Sequence, residues 1–113
     1  MKPLSQDQKH ALLRLLAGRL ARAGRDVAME SLQRKGLVVR TSTFDELTGD
    51  GFTAAAEYPY AVGVYFEKRG RCVWGVYKSL ATAKRMYTDL IALHRPTWCM
   101  VGSALTVSQA LRE

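Results

Sequence analysis

Four side chains in this sequence are able to hold a soft metal: His10, Cys72, His94 and Cys99. A structural zinc site needs four such ligands at closed spacing, and neither a Cys-x-x-Cys nor a His-x-x-x-His pair occurs among them. His94 with Cys72 or Cys99 also has the composition of a nucleophile and its base. Each thiol, however, lies in apolar sequence, where an inert packed cysteine is the default, and no third group is placed to orient the imidazole. Asp45 and Glu46 are chain neighbours that point apart, and Asp50 and Glu57 have no cleft-forming sequence around them, so no carboxylate pair is set up for acid–base work. Gly49-Asp50-Gly51 lacks the lysine and hydroxyl that complete a phosphate loop. These residues imply no catalytic group, no metal and no cofactor, and the expectation is a binding protein rather than an enzyme.

Positive charge is what the sequence has in excess. Seventeen Lys and Arg face ten Asp and Glu, a formal net charge of +7. The charges come in blocks: nine basic and three acidic residues over 1–40, none and four over 41–60, seven and two over 61–96. Such a chain suits an anionic partner, because each neutralised phosphate releases counterions and adds a salt-sensitive increment of affinity. The same residues are equally at home on a solvated surface, so their placement decides between the two readings.

The elements that position them follow from periodicity and caps. Ser5 and Gln8 have the spacing of a capping box, and Leu12, Leu13, Leu16 and Leu20 share one face of a helix over 6–23, with Arg14, Arg22 and Arg25 on the other side. Asp26 caps a second helix over 27–35 that buries Val27, Ala28 and Leu32, ends at Gly36 and leaves Ser31, Gln33, Arg34 and Lys35 towards solvent or a partner. Residues 37–40 read as a strand. Residues 43–48 then either return as the second strand of a hairpin, followed by a helix over 51–57, or start a helix at Thr43; the two glycines at 49 and 51 favour the hairpin.

Residues 60–66 and 71–77 alternate as two strands, with Tyr60, Val62, Val64 and Phe66 matched by Cys72, Trp74 and Val76. Their turn at Gly70 sets Lys68, Arg69 and Arg71 at one basic tip. Tyr65 and Tyr77 fall on the opposite face in this reading, where exposed rings would stack on unpaired bases. Ser79 caps a third helix with Leu80, Ala83, Met86, Tyr87, Leu90 and Leu93 as its buried stripe, and Pro96 ends it. Residues 98–101 form a strand beside the first of the pair and antiparallel to it, and 106–111 a short terminal helix.

Ser31-Leu32-Gln33-Arg34-Lys35-Gly36-Leu37-Val38-Val39, followed by Phe44, Leu47-Thr48, Gly51 and Ala54, resembles the recognition-helix and wing segment of winged-helix transcription regulators. The resemblance covers 27–56, about a quarter of the chain. It implies that Ser31, Gln33, Arg34 and Lys35 contact DNA in the major groove and that Arg40 belongs to the wing. One helix precedes this segment where a complete helix-turn-helix has two; a break of the first helix at Gly18 would supply the second. The supposed wing is acidic at Asp45, Glu46 and Asp50.

The expected fold is α+β in one domain, 1–113: N-terminal helices with a short β-hairpin (1–57), then a β-hairpin–helix–strand unit (58–113) forming a small, mainly antiparallel sheet with a helix on one face. No stretch is apolar enough to cross a membrane and no signal peptide opens the chain, so the expected location is the cytoplasm. The expected function is DNA binding, or association with DNA as an accessory or regulatory protein, with DNA ahead of RNA. The alternative is a small bacterial or phage-encoded adaptor or inhibitor that docks onto a protein of a nucleic-acid-handling complex. Apolar strand edges leave room for a homodimer.

Overall fold

A computed structural model describes residues 3–113. The fold is α+β, with five helices and two three-stranded antiparallel sheets, and the chain divides into two compact units at Glu57/Tyr58.

In the first unit Ser5 and Gln8 form a reciprocal capping box: the Gln8 N–H donates to Ser5 Oγ at 3.2 Å and the Ser5 N–H to Gln8 Oε1 at 2.9 Å. Helix α1 (Gln6–Leu15) follows and buries Ala11, Leu12 and Leu15. It ends eight residues before position 23. Gly18 adopts φ 126°, a conformation open to glycine at little cost, and turns the chain so that β1 (Leu20–Ala21) pairs antiparallel with a later strand. Leu20 therefore reaches the core from a strand, and the segment between Gly18 and Asp26 holds that strand in place of an additional helix.

Helix α2 (Val27–Arg34) starts at Asp26, whose carboxylate accepts from the Met29 N–H at 3.1 Å. It closes in a Schellman motif, with the Gly36 N–H on the Gln33 carbonyl and the Leu37 N–H on the Leu32 carbonyl. Met29 and Leu32 are its buried residues; Val27, expected inside, is 64% exposed. Strands β2 (Val38–Arg40) and β3 (Phe44–Leu47) form the expected hairpin, and the sheet order is β1-β3-β2. Thr48 then caps α3 (Gly49–Ala55), which begins two residues earlier than expected. A Cβ at Gly51 would stand 2.1 Å from the Leu37 carbonyl oxygen, so α3 lies against the start of the hairpin only because that residue has no side chain.

Arg40 and Asp45 sit directly opposite each other across the hairpin. Arg40 Nε donates to Asp45 Oδ1 at 2.6 Å, with side chains only 1% and 6% exposed. The carboxylate holds the guanidinium pKa above its ordinary value. Arg40 Nη1 is buried without a partner.

In the second unit β4 (Tyr60–Phe66) is the central strand, flanked antiparallel by β5 (Gly70–Tyr77) and β6 (Trp98–Ser103) in the order β5-β4-β6. A bulge sets Val62 opposite Gly75 but Gly63 opposite Val73, leaving Trp74 as the extra residue. Helix α4 (Leu80–His94) covers one face, where Val62, Val64 and Leu90 are buried with Cys72, Trp74, Tyr77, Tyr87, Cys99 and Val101 around them. Ser103 caps α5 (Ala104–Ala110), which begins before the expected position 106 and brings Val107 against Gly63 on the other face.

Two expectations about this sheet are corrected. The bulge changes the face of every later residue of β5, so Val76 pairs with Ala61 on the α5 side rather than lying with Val62. The buried stripe of α4 is also shorter than its leucines imply. Ala83 and Leu90 are buried, but Leu80 is 37% and Leu93 76% exposed, because the three-stranded sheet covers only the middle of the helix.

The buried ion pair makes a clear expectation. Asp45→Ala leaves a buried guanidinium uncompensated and lowers unfolding free energy by about 3–5 kcal/mol, whereas Arg40→Met with Asp45→Leu costs much less or nothing; urea unfolding of both variants measures the difference. His10 makes another. Burial, with Lys9 and Arg14 nearby, lowers its pKa against the opposing pull of Asp7, and Nε2 has no partner. The folded state therefore favours the neutral ring. Its contribution is complete above the unfolded pKa of about 6.5 and is lost as pH falls through the lower folded value. The urea midpoint should decline from pH 7.5 to pH 5 and decline less in His10→Gln.

Candidate functional site

The division of the chain redistributes its charge. Residues 1–57 carry nine basic and seven acidic groups, whereas residues 58–113 carry eight and three. Most of the net +7 thus belongs to the second unit, which the blocks along the sequence did not make plain.

On the first unit, the cations of the expected binding face are dispersed among local partners. Arg14 lies 3.6 Å from Asp26 and Arg25 lies 3.9 Å from Glu30. Arg22 Nη1 donates to the Thr41 carbonyl at 3.0 Å, bracing the β2–β3 turn. On α2, Ser31 Oγ accepts from Gln8 Nε2 at 2.7 Å and Lys35 Nζ donates to Gln8 Oε1 at 3.4 Å, so both residues help fasten α2 to α1. Gln33 and Arg34 are exposed. Arg40, expected on the wing, is corrected to a core residue: its cross-strand position opposite Asp45 turns it inward.

Three of the second unit's eight cations stand around one cleft. Lys68 and Arg69, on the β4–β5 turn, are exposed as expected. They line a cleft of about 630 Å³ with Phe66, Glu67, Trp74, His94, Arg95 and Thr97. Its wall is aromatic. Phe66 meets Trp74 edge-on with centroids 6.4 Å apart, and the His94 ring lies 5.1 Å from Trp74 at 55°. No ion pair or hydrogen bond occupies the side chains of Lys68, Arg69 or Arg95 among the described residues.

Arg95 was missed in the sequence, where Pro96 signals only that α4 ends. A residue before proline is pushed out of the right-handed helical region, and Arg95, preceding Pro96, caps α4 at φ 43° and ψ 59°. Trp74 was missed as a site residue because no alternation pattern reports a bulge. The set is an aromatic wall under three cations and one acid, fit to hold a flat anionic group.

Arg71, the third cation of the expected tip, points elsewhere. It is paired with Tyr65 in the ladder, lies 5.1 Å from the Trp98 ring centroid and donates to the Ala110 carbonyl at 2.6 Å, tying down the end of α5. The two tyrosines also part company. Tyr65 shares the α5 side with Arg71 and Trp98, while Tyr77, beyond the bulge, packs among the residues under α4, where burial raises its pKa. They do not form one stacking platform.

Cys72 and Cys99 both register with Val64, one on each side. Two strand spacings, about 9.6 Å, separate their backbones, too far for a disulfide, and both thiols are free. The thiol of Cys99 meets the Tyr87 hydroxyl; its charge when ionised, together with burial, raises the Tyr87 pKa. Among the described residues no three metal-ligating side chains converge.

If Arg71 serves packing, Arg71→Met should lower unfolding free energy by about 1–2 kcal/mol through the lost cation–π contact and hydrogen bond. Urea unfolding of the variant beside the parent measures that loss. No family model, curated protein or solved structure matches this chain.

Proposed function

We propose that the chain is a non-catalytic DNA-binding or DNA-associated accessory protein that acts in the cytoplasm through its exposed cations. The observation that carries this reading is the second unit's surplus of eight basic over three acidic groups, with Lys68, Arg69 and Arg95 around one cleft and without ion-pair partners among the described residues. A positive field focused at a concave surface draws and holds polyanions.

The first unit adds secondary support. Helix α2 runs directly into the β2–β3 hairpin and the Thr48-capped α3, the succession that the winged-helix resemblance implies, and Gln33 and Arg34 face outward from it. Against a complete motif of that kind stand β1, in place of a second helix, and the buried Arg40. The basic cleft therefore bears more of the reading than α2 does. No helix among the described residues is long and apolar enough to cross a membrane.

A second reading, docking onto a protein of a nucleic-acid-handling complex, is favoured by the apolar side chains left on the surface, Phe52 at 50% and Leu93 at 76% exposure among them.

Titration of labelled DNA by fluorescence anisotropy at about 50 and 200 mM salt tests the first reading. Binding should weaken at least tenfold over that interval, and Lys68→Ala with Arg69→Ala should flatten the log–log slope by roughly two. Absence of binding at the lower salt removes it. Partners retained from nuclease-treated lysate, with no DNA binding by the purified chain, would establish the second.

A further inference from the structure

We propose that the cleft at the end of α4 is a site for one unpaired nucleotide, its base against the Trp74–His94 wall and its phosphate among Lys68, Arg69 and Arg95. The inference rests on the nucleic-acid reading and gives it a ligand and a strand preference.

Four observations converge. The cleft, about 630 Å³, has the volume of a small-ligand site and exceeds what a simple phosphate contact requires. Its wall is aromatic: the Trp74 ring has Phe66 at 6.4 Å and His94 at 5.1 Å between centroids. A base gains stacking energy on such a surface whatever its sequence. The rim has three cations against Glu67 alone, and the cations come from two separate elements, the β4–β5 turn and the end of α4. That arrangement brackets an anion rather than lying along one solvated face. Finally, Arg95 is held in a left-handed conformation that costs an ordinary residue about 1 kcal/mol, in a place where glycine would serve the turn with less strain.

The occupant follows from shape as well as charge. A base within an uninterrupted duplex presents only its edge, because its faces are covered by neighbouring pairs. Only an unstacked base offers a face to a concave aromatic wall. The cleft therefore selects single-stranded segments, frayed ends or a free nucleotide, and leaves duplex DNA to contacts made through phosphates alone. Thr97 and Glu67 add one hydroxyl and one carboxylate to the lining, both capable of hydrogen bonding to a base edge.

The full chain carries two tryptophans, Trp74 and Trp98, so two indole N–H signals report on it in a ¹⁵N NMR spectrum, and Trp98→Phe assigns them. Thymidine monophosphate, inorganic phosphate, an eight-residue oligothymidylate, a closed hairpin duplex and a poly-glutamate peptide serve as probes. The Trp74 signal should shift saturably with the mononucleotide and with the oligonucleotide, and little with phosphate or the closed duplex. Tighter binding of the oligonucleotide would identify a strand as the source; tighter binding of the mononucleotide would identify the free nucleotide. Arg69→Gln and Arg95→Gly should each weaken both by roughly tenfold. Arg95→Gly should do so without lowering the thermal midpoint, since glycine suits that backbone position.

An unmoved Trp74 signal, an equal response to the peptide, or unchanged affinity in both arginine variants would overturn the site. If the closed duplex binds with the expected salt dependence while Trp74 stays unmoved, the cleft inference fails and the DNA reading stands. If neither a polynucleotide nor the mononucleotide binds at low salt, both fail.

Discussion

From Ala61 to Val64, strand β4 has no face left to water: α4 covers Val62 and Val64, and α5 covers Gly63. A central strand buried on both sides tolerates no slip, because a shift of one residue would exchange its two faces and press each side chain against the wrong helix. The rest of the second unit is fitted to it. Gly63 admits Val107, the Arg71 guanidinium holds the end of α5 down, and the bulge at Trp74 lets β5 follow while its later residues change sides. Without the bulge Tyr77 would point towards α5, and Trp74 would be one more alternating strand residue instead of the extra one that lines the cleft.

The first unit solves a different problem. Its middle segment carries four acids and no base, which would oppose any polyanion nearby. Asp45 is withdrawn from that account by Arg40, inside the protein. The pair neutralises itself, so the core gains an ion pair whose desolvation offsets much of its attraction, and the surface loses one charge of each sign. Glu46 remains outside on the same strand. The pair leaves the first unit's net charge of +2 unchanged, and the larger share of the protein's +7 lies on the second unit.

Local chemistry was the legible part of the sequence. Ser5, Asp26 and Ser79 each precede an apolar period and each caps a helix, because a side-chain oxygen serving the first turn needs no distant residue to act. The β4–β5 hairpin and its exposed Lys68 and Arg69 were readable for the same reason. What failed depended on partners far along the chain. Leu20 continues the leucine period of α1, yet it forms a strand because β3, more than twenty residues later, offers it backbone hydrogen bonds. Arg40 resembles a surface cation until the register places Asp45 opposite it. The cleft was invisible because it joins a turn, a bulge and a helix end that no single period connects.

The two cysteines illustrate how a sheet keeps its reactive atoms apart. They flank Val64 on neighbouring strands and face the same helix, so the β-ladder itself acts as a spacer between them. A folded molecule under oxidising conditions cannot close a loop on itself through this pair. A protein disulfide at either position would have to join two chains, and the packing of both thiols against the core under α4 stands in its way.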